Sequence, residues 1–171
     1  MRHVVTSCLF GTALVLGSAA QAQQAAPPSY GETISLEMAK KVADAAEAEA
    51  KKNNWNMAIS VVTPSGDLVY FRRMDDTQFA STAISQHKAK AAAAFKRPTK
   101  AFEERIGGGG MGLTALTLDG VIASEGGVPI SVGGKIIGAI GVSGATSAQD
   151  GQTAAAGIAA MSTTAQAAPA R

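Results

Sequence analysis

Reactive sulfur and imidazole are scarce in this chain, whose 171 residues hold one cysteine and two histidines. The cysteine, Cys8, and the first histidine, His3, both fall within the first 22 residues. Everything after them lacks cysteine, which excludes disulfides, thiolate metal ligands and cysteine nucleophiles together. His87 is then the only imidazole left. Charge of one sign is also wanting: 15 basic residues against 13 acidic give a formal net charge of +2, without the clustered basic face of a nucleic-acid binder. No segment after residue 22 offers about 20 uninterrupted apolar residues, so no membrane-spanning helix is expected. Neither a Ser-His-acid motif nor HExxH, a P-loop or CxxC occurs, so any chemistry here is not announced by a general motif.

What is present begins with a leader. Arg2 and His3, an apolar stretch over residues 8–16 and the small-x-small triplet Ala20-Gln21-Ala22 make the three parts of a secretory signal. Cleavage after Ala22 is expected, with a mature protein that is periplasmic or secreted; Cys8 reads as part of the discarded signal. The remainder is the size of one domain with one core. Residues 23–33, with Pro27-Pro28, read as a disordered lead-in, 34–161 as the domain and 162–171 as a flexible tail.

Ser35 reads as the N-cap of an amphipathic helix reaching Lys52, with Leu36, Ala39, Val42, Ala43, Ala46 and Ala50 at helical spacing. Residues 57–63 and 68–73 are strand-like, and Thr63-Pro64-Ser65-Gly66 supplies the turn of a hairpin. A second helix is predicted over 80–95, its buried stripe formed by Ala80, Ala83, Ile84, His87, Ala91, Ala94 and Phe95. That face is so small that something must pack closely against it. Pro98 ends this helix and opens a short third one through Ile106, followed by a flexible glycine loop at 107–110. Residues 113–122 read as a weak strand or irregular segment. A second hairpin, 128–132 and 135–142, turns on Gly133-Gly134, which tolerate the positive φ of a two-residue turn. Gly138, Gly141 and Gly144 recur every three residues, letting the strand and the following helix approach closely. That helix is predicted over 148–161, with Ser147 and Asp150 in a capping arrangement. The irregular order of helices and strands disfavours a doubly wound parallel sheet and favours an antiparallel sheet with helices on both faces.

Two blocks of residues carry a resemblance. The later one runs Glu125-Gly126-Gly127-Val128-Pro129-Ile130, residues 137–145 and Gln149-Asp150. The earlier one runs Gly66-Asp67-Leu68-Val69, Arg73-Met74-Asp75, Ser85, Lys88-Ala89 and Phe95-Lys96-Arg97-Pro98-Thr99. Over residues 34–161 the chain resembles the GlcG/HbpS-like, or haem-degrading, family. The resemblance implies a profilin-like three-layer α/β/α sandwich with a central antiparallel sheet, a homo-oligomer, and haem or a small molecule as ligand. The family pattern commonly continues K-A-x-T-A, whereas this chain reads Lys88-Ala89-Lys90-Ala91-Ala92 and lacks the hydroxyl.

His87 is either a hydrogen-bonded core histidine or a ligand to haem iron, facing a flat group laid against the alanines. Lys88 is either an ion-paired helix lysine or the holder of a carboxylate or haem propionate. Arg73, beside Arg72, Asp75 and Asp76, belongs to a charged sheet edge or, as a family position, to a pocket rim. Glu125 reads as a turn carboxylate or as a general base that orients a ligand. The amides of Ser143 and Gly144 are placed to receive an anionic group at a helix start. Glu103-Glu104 read as an exposed helix face, and Tyr70, Met74 and Met111 as packing residues or weak haem partners. The leading expectation is an exported haem- or iron-associated binding protein that assists haem degradation. The others are a metal-free isomerase or lyase using His87, Lys88 and Glu125, and a partner-binding accessory or sensory protein.

Overall fold

The structure, a computed structural model, describes residues 26–165. The expected leader, residues 23–25 of the expected lead-in and residues 166–171 of the expected tail lie outside the described residues. Helix α1 (Leu36–Lys52) starts where Ser35 accepts a hydrogen bond from the Met38 N–H at 3.2 Å, as its N-cap role requires. Strands β1 (Ala58–Val62) and β2 (Leu68–Arg73) form the first hairpin. Helices α2 (Ser81–Phe95) and α3 (Lys100–Gly107) follow, then a 3-10 helix over Gly110–Thr117. Strands β3 (Gly127–Val132) and β4 (Lys135–Ser143) make the second hairpin, and α4 (Ser147–Ala165) ends the described chain. Gly133 and Gly134 turn the second hairpin at φ +56° and +75°, a pair that suits a two-residue type I′ connection.

The four strands form one antiparallel sheet in the order β2-β1-β4-β3. Because side chains alternate across a strand, Ile59 and Val61 of β1 and Ile140 and Val142 of β4 point to one face. There they bury against Ala39, Val42, Ala43, Ala46 and Ala50 of α1 and Ala154 of α4. Val62 and Ala139 point to the other face, against Ala89, Ala92 and Ala93 of α2. The result is the expected three-layer α/β/α sandwich.

On the second face the helix rests almost directly on strand backbone. A Cβ at Gly141 would lie 2.0 Å from the Ser85 carbonyl oxygen, and one at Gly127 would lie 2.3 Å from that of Lys88. The close approach expected of the glycines is therefore made at Gly141 by α2 rather than by the helix that follows. The phase of α2 also differs from the expected stripe. Ser81, Ser85, Lys88, Ala89, Ala91, Ala92 and Ala93 are buried, while Ala83 and His87 are exposed. Alanine on every side gives this helix no strong apolar face, and the sheet it covers is itself partly polar: Ser60 Oγ lies 2.8 Å from Ser85 Oγ, and Ser143 donates to Ser81 at 3.1 Å.

Three further expectations are corrected. The lead-in is not disordered throughout, since Ser29 accepts from the Ile136 N–H at 2.9 Å and Gly31 and Ile34 donate to Ile136 and Ile137, both at 2.8 Å. These bonds occupy the edge of β4 just beyond its last pairing with β1. Residues 113–122 hold the end of the 3-10 helix and then an irregular stretch, the expected alternative to a weak strand, and α4 runs to Ala165, past the expected start of the tail. The capping box of α4 lies one residue earlier than expected. Thr146 accepts from the Gln149 N–H at 3.4 Å and Gln149 accepts from the Thr146 N–H at 3.1 Å, the reciprocal pair of a T-x-x-Q box.

Candidate functional site

The candidate residues separate into three places. His87 and Lys88 are neighbours on α2, about 100° apart around its axis, and so diverge completely. His87 is exposed and lines an open cavity of about 310 Å³ with Lys90, Asp119, Gly120 and Val121. Among the described residues its imidazole takes no hydrogen bond and no ion pair. Lys88, by contrast, is 1 % exposed.

Lys88 Nζ donates to Asp150 Oδ2 and to the Glu125 carbonyl oxygen, both at 2.7 Å. It joins the middle of α2 to the loop before β3 and to the first turn of α4. Asp150 Oδ1 accepts from the Ala145 N–H at 3.1 Å. The bare backbone after β4, expected to receive an outside anion at Ser143 and Gly144, is thus filled by the carboxylate of Asp150. Ser143 is buried, and a Cβ at Gly144 would lie 2.1 Å from the Asn56 carbonyl oxygen, so no ligand enters there. Burial pushes the Asp150 carboxyl above the usual carboxylate range, with Lys88 opposing it.

Glu125 sits at the rim of this cluster. Its carboxylate pairs with Lys100 at 2.6 Å, which raises the Lys100 ammonium above its usual value, and its oxygen fills the space over Gly151. The Glu125 N–H donates to Glu103, whose other oxygen accepts from Ser147 at 2.9 Å. Glu103 is therefore a clamp between α3, this loop and α4 rather than part of an exposed face, while Glu104 remains exposed. Thr99 completes the arrangement. It is buried, donates to the Ser124 carbonyl at 2.7 Å and accepts from the Gly127 N–H at 3.0 Å. The Pro98-Thr99 and Glu125-Gly126-Gly127 blocks of the sequence meet at this point.

Arg73 stands apart, at the end of β2. It donates to the Thr77 carbonyl, stacks over Phe79 at 5.1 Å and lines a separate cavity of about 330 Å³ with Glu47, Lys51, Asp75 and Asp76. His87 lines its cavity without Lys88 or Glu125. Among the described residues no three His, Cys, Asp or Glu side chains gather as a metal site, and no helix is long and apolar enough to cross a membrane. Sequence reasoning missed Asp119 at the His87 cavity and Asp150 as the partner of Lys88. Asp119 carries no local signal, whereas Asp150 stood in a recognised block and was read only as a cap.

Comparison with known proteins places this geometry among relatives. A family model described as "Haem degrading protein HbpS-like" matches residues 34–159. Protein GlcG of Escherichia coli strain K12 is 43% identical over 110 residues, 64% of this chain and 81% of GlcG. The crystal structure of Klebsiella pneumoniae protein ORFY superimposes with a TM-score of 0.71 at 30% identity, covering 82% of this chain and 98% of that one. The crystal structure of a PduOC:heme complex superimposes with a TM-score of 0.68 at 27% identity, covering 75% of this chain and 94% of that one. With a family model matched across nearly the whole described domain, the chain belongs to the HbpS-like family.

Proposed function

We propose that this protein binds haem, with His87 supplying the imidazole to the iron. The observation that carries the reading is the placement of the only histidine after the leader: exposed, unpaired among the described residues, and at the wall of an open cavity. The family description and the haem complex of a relative support it. The residues present fit the group. His87 offers an imidazole nitrogen, Lys90 offers an ammonium for a propionate, and Val121 adds apolar wall, with the Asp119 carboxylate on the same wall. Bound haem would supply iron redox and oxygen chemistry; this chain's own contribution is to hold and orient it. Lys88 stays outside that task, because its charge is consumed by Asp150 in the core.

The same reading takes the protein to be exported by the leader at residues 1–22, to assist haem degradation and to assemble as a homo-oligomer. Alanine-dominated layers bury modest apolar area per residue, so a subunit interface would add burial that one small core lacks. A metal-free isomerase or lyase built on His87, Lys88 and Glu125 loses its basis, because those three side chains do not converge. Titrating haemin into the purified protein tests the proposal. Growth of a shifted Soret band to a defined stoichiometry supports it, and a spectrum equal to free haemin contradicts it.

A further inference from the structure

We infer that the 3-10 helix Gly110–Thr117 and Leu118 form a hinged apolar wall that closes over the His87 cavity when a flat apolar ligand occupies it. The inference rests on the haem-binding reading and names the chain's own residues that cover the ligand.

Four observations carry it. First, the segment shows water most of its apolar side chains: Met111 is 80% exposed, Leu116 62%, Leu113 48% and Leu118 44%, with Ala115 its only buried residue. So many exposed apolar groups on one short segment mark a surface that acquires a partner. Second, the segment packs chiefly on α3, with Gly112 set against the Arg105 backbone and an outer contact from Arg105 to Thr114 at 3.0 Å, where both residues are solvent-facing. Third, glycines flank it at both ends in the positive-φ region, Gly109 and Gly110 at +66° and +52° on the way in and Gly120 at +76° on the way out. No atom lies within 4 Å of where a Cβ would sit on any of the three. Such positions accept a change of backbone direction without a clash. Fourth, the segment continues directly into Asp119, Gly120 and Val121, which already wall the cavity opposite His87 and Lys90.

Haem has the complementary shape: two apolar faces that one cavity wall leaves half wet. Swinging the segment about its glycine ends lays leucine side chains on the uncovered face, with Leu116 and Leu118 nearest the hinge at Gly120. The ligand thereby provides the apolar partner the segment lacks in the free protein.

The test uses the purified protein and its Leu116→Ser/Leu118→Ser variant, each loaded with haem. Release is followed by transfer to excess apomyoglobin, with light scattering and thermal melting of both proteins alongside. The variant should lose haem about tenfold faster or more, the equivalent of ~1.4 kcal/mol of binding. Its Soret maximum, mass and melting temperature should remain those of the wild type. In the wild-type protein, thermolysin should cut within residues 110–118 readily without haem and slowly with it. Equal release rates, or equal cutting with and without haem, would overturn the wall while leaving haem binding by His87 intact. A variant whose only change is a lower assembly mass would reassign the apolar face to a contact between copies. A wild-type protein that takes up no haem overturns both readings.

Discussion

Lys88 and Asp150 form a sealed ion pair, with Nζ 2.7 Å from Oδ2 and their side chains 1% and 3% exposed. The pair ties the middle of α2 to the start of α4 across the loop at Glu125. Charges that deep are tolerated only as long as both are present. Lys88→Met should cost about 3–5 kcal/mol, because it leaves an uncompensated carboxylate, and Asp150→Leu should cost as much for the mirror reason. The double variant should recover most of that loss. Urea denaturation of the three proteins measures this; single variants within about 1 kcal/mol of the wild type would contradict a sealed pair.

Acid sensitivity should come from Glu47, with Glu49 shifted in the same direction, and not from Asp150. Burial raises the Asp150 carboxyl, so its contribution is fully present below the unfolded value of about 3.9 and is lost as pH rises through the folded value. Glu47 has the opposite sign. Burial pushes it up, but Lys51 at 3.0 Å and Arg72 outweigh that and hold it below its usual range. Its contribution is present above about 4.3 and is lost as pH falls through the folded value. Glu47→Gln should therefore flatten the fall in melting temperature between about pH 5 and pH 3. Parallel melting curves for the variant and the wild type across that window would rule this out.

Gly141→Ala should be among the most damaging single-methyl changes available. The added Cβ would lie 2.0 Å from the Ser85 carbonyl oxygen and 2.5 Å from the Ala89 nitrogen, both backbone atoms that move only if α2 lifts from the sheet. A cost of about 3 kcal/mol or more, or failure to fold, is expected. Gly107→Ala is the control, since no atom lies within 4 Å of its Cβ position, and it should be close to neutral. Equal stabilities of the two variants would refute the close helix–strand contact.

Thr146 should matter more than Ser147 to the start of α4. Thr146→Ala removes a reciprocal cap and should cost about 1 kcal/mol, whereas Ser147→Ala loses a side-chain bond to Glu103. Thermal melts showing Ser147→Ala as the costlier change would place the cap where the sequence alone suggested it.

Local signals made most of the fold legible. Ser35, the Pro64–Gly66 turn and Gly133-Gly134 each act within a few residues, and the elements they bound agree with the structure to within one or two positions. The face of α2 was not legible, because its buried side carries Ser81, Ser85 and Lys88 while its wet side carries Ala83. Hydrophobic periodicity has no purchase where a helix covers polar strand residues and bare glycine. The pairing of Lys88 with Asp150 spans 62 positions, a distance no local pattern reports. The two recognised sequence blocks did contain both partners, and their meeting at Thr99, Glu125 and Gly127 shows that those blocks mark a structural joint. His87 is left as an open group, in keeping with the ligand role that the sequence had set second to a core role, while Arg73 opens on a separate cavity.

His87→Ala tests the account most directly. Because His87 is exposed and its imidazole is unpaired among the described residues, the change should leave melting within about 0.5 kcal/mol of the wild type. Haem titration of the same variant, followed in the Soret region, should lose the imidazole-ligated band of the wild type and bind at least tenfold more weakly. A variant with the wild-type Soret spectrum and wild-type affinity would contradict the claim that His87 holds the iron.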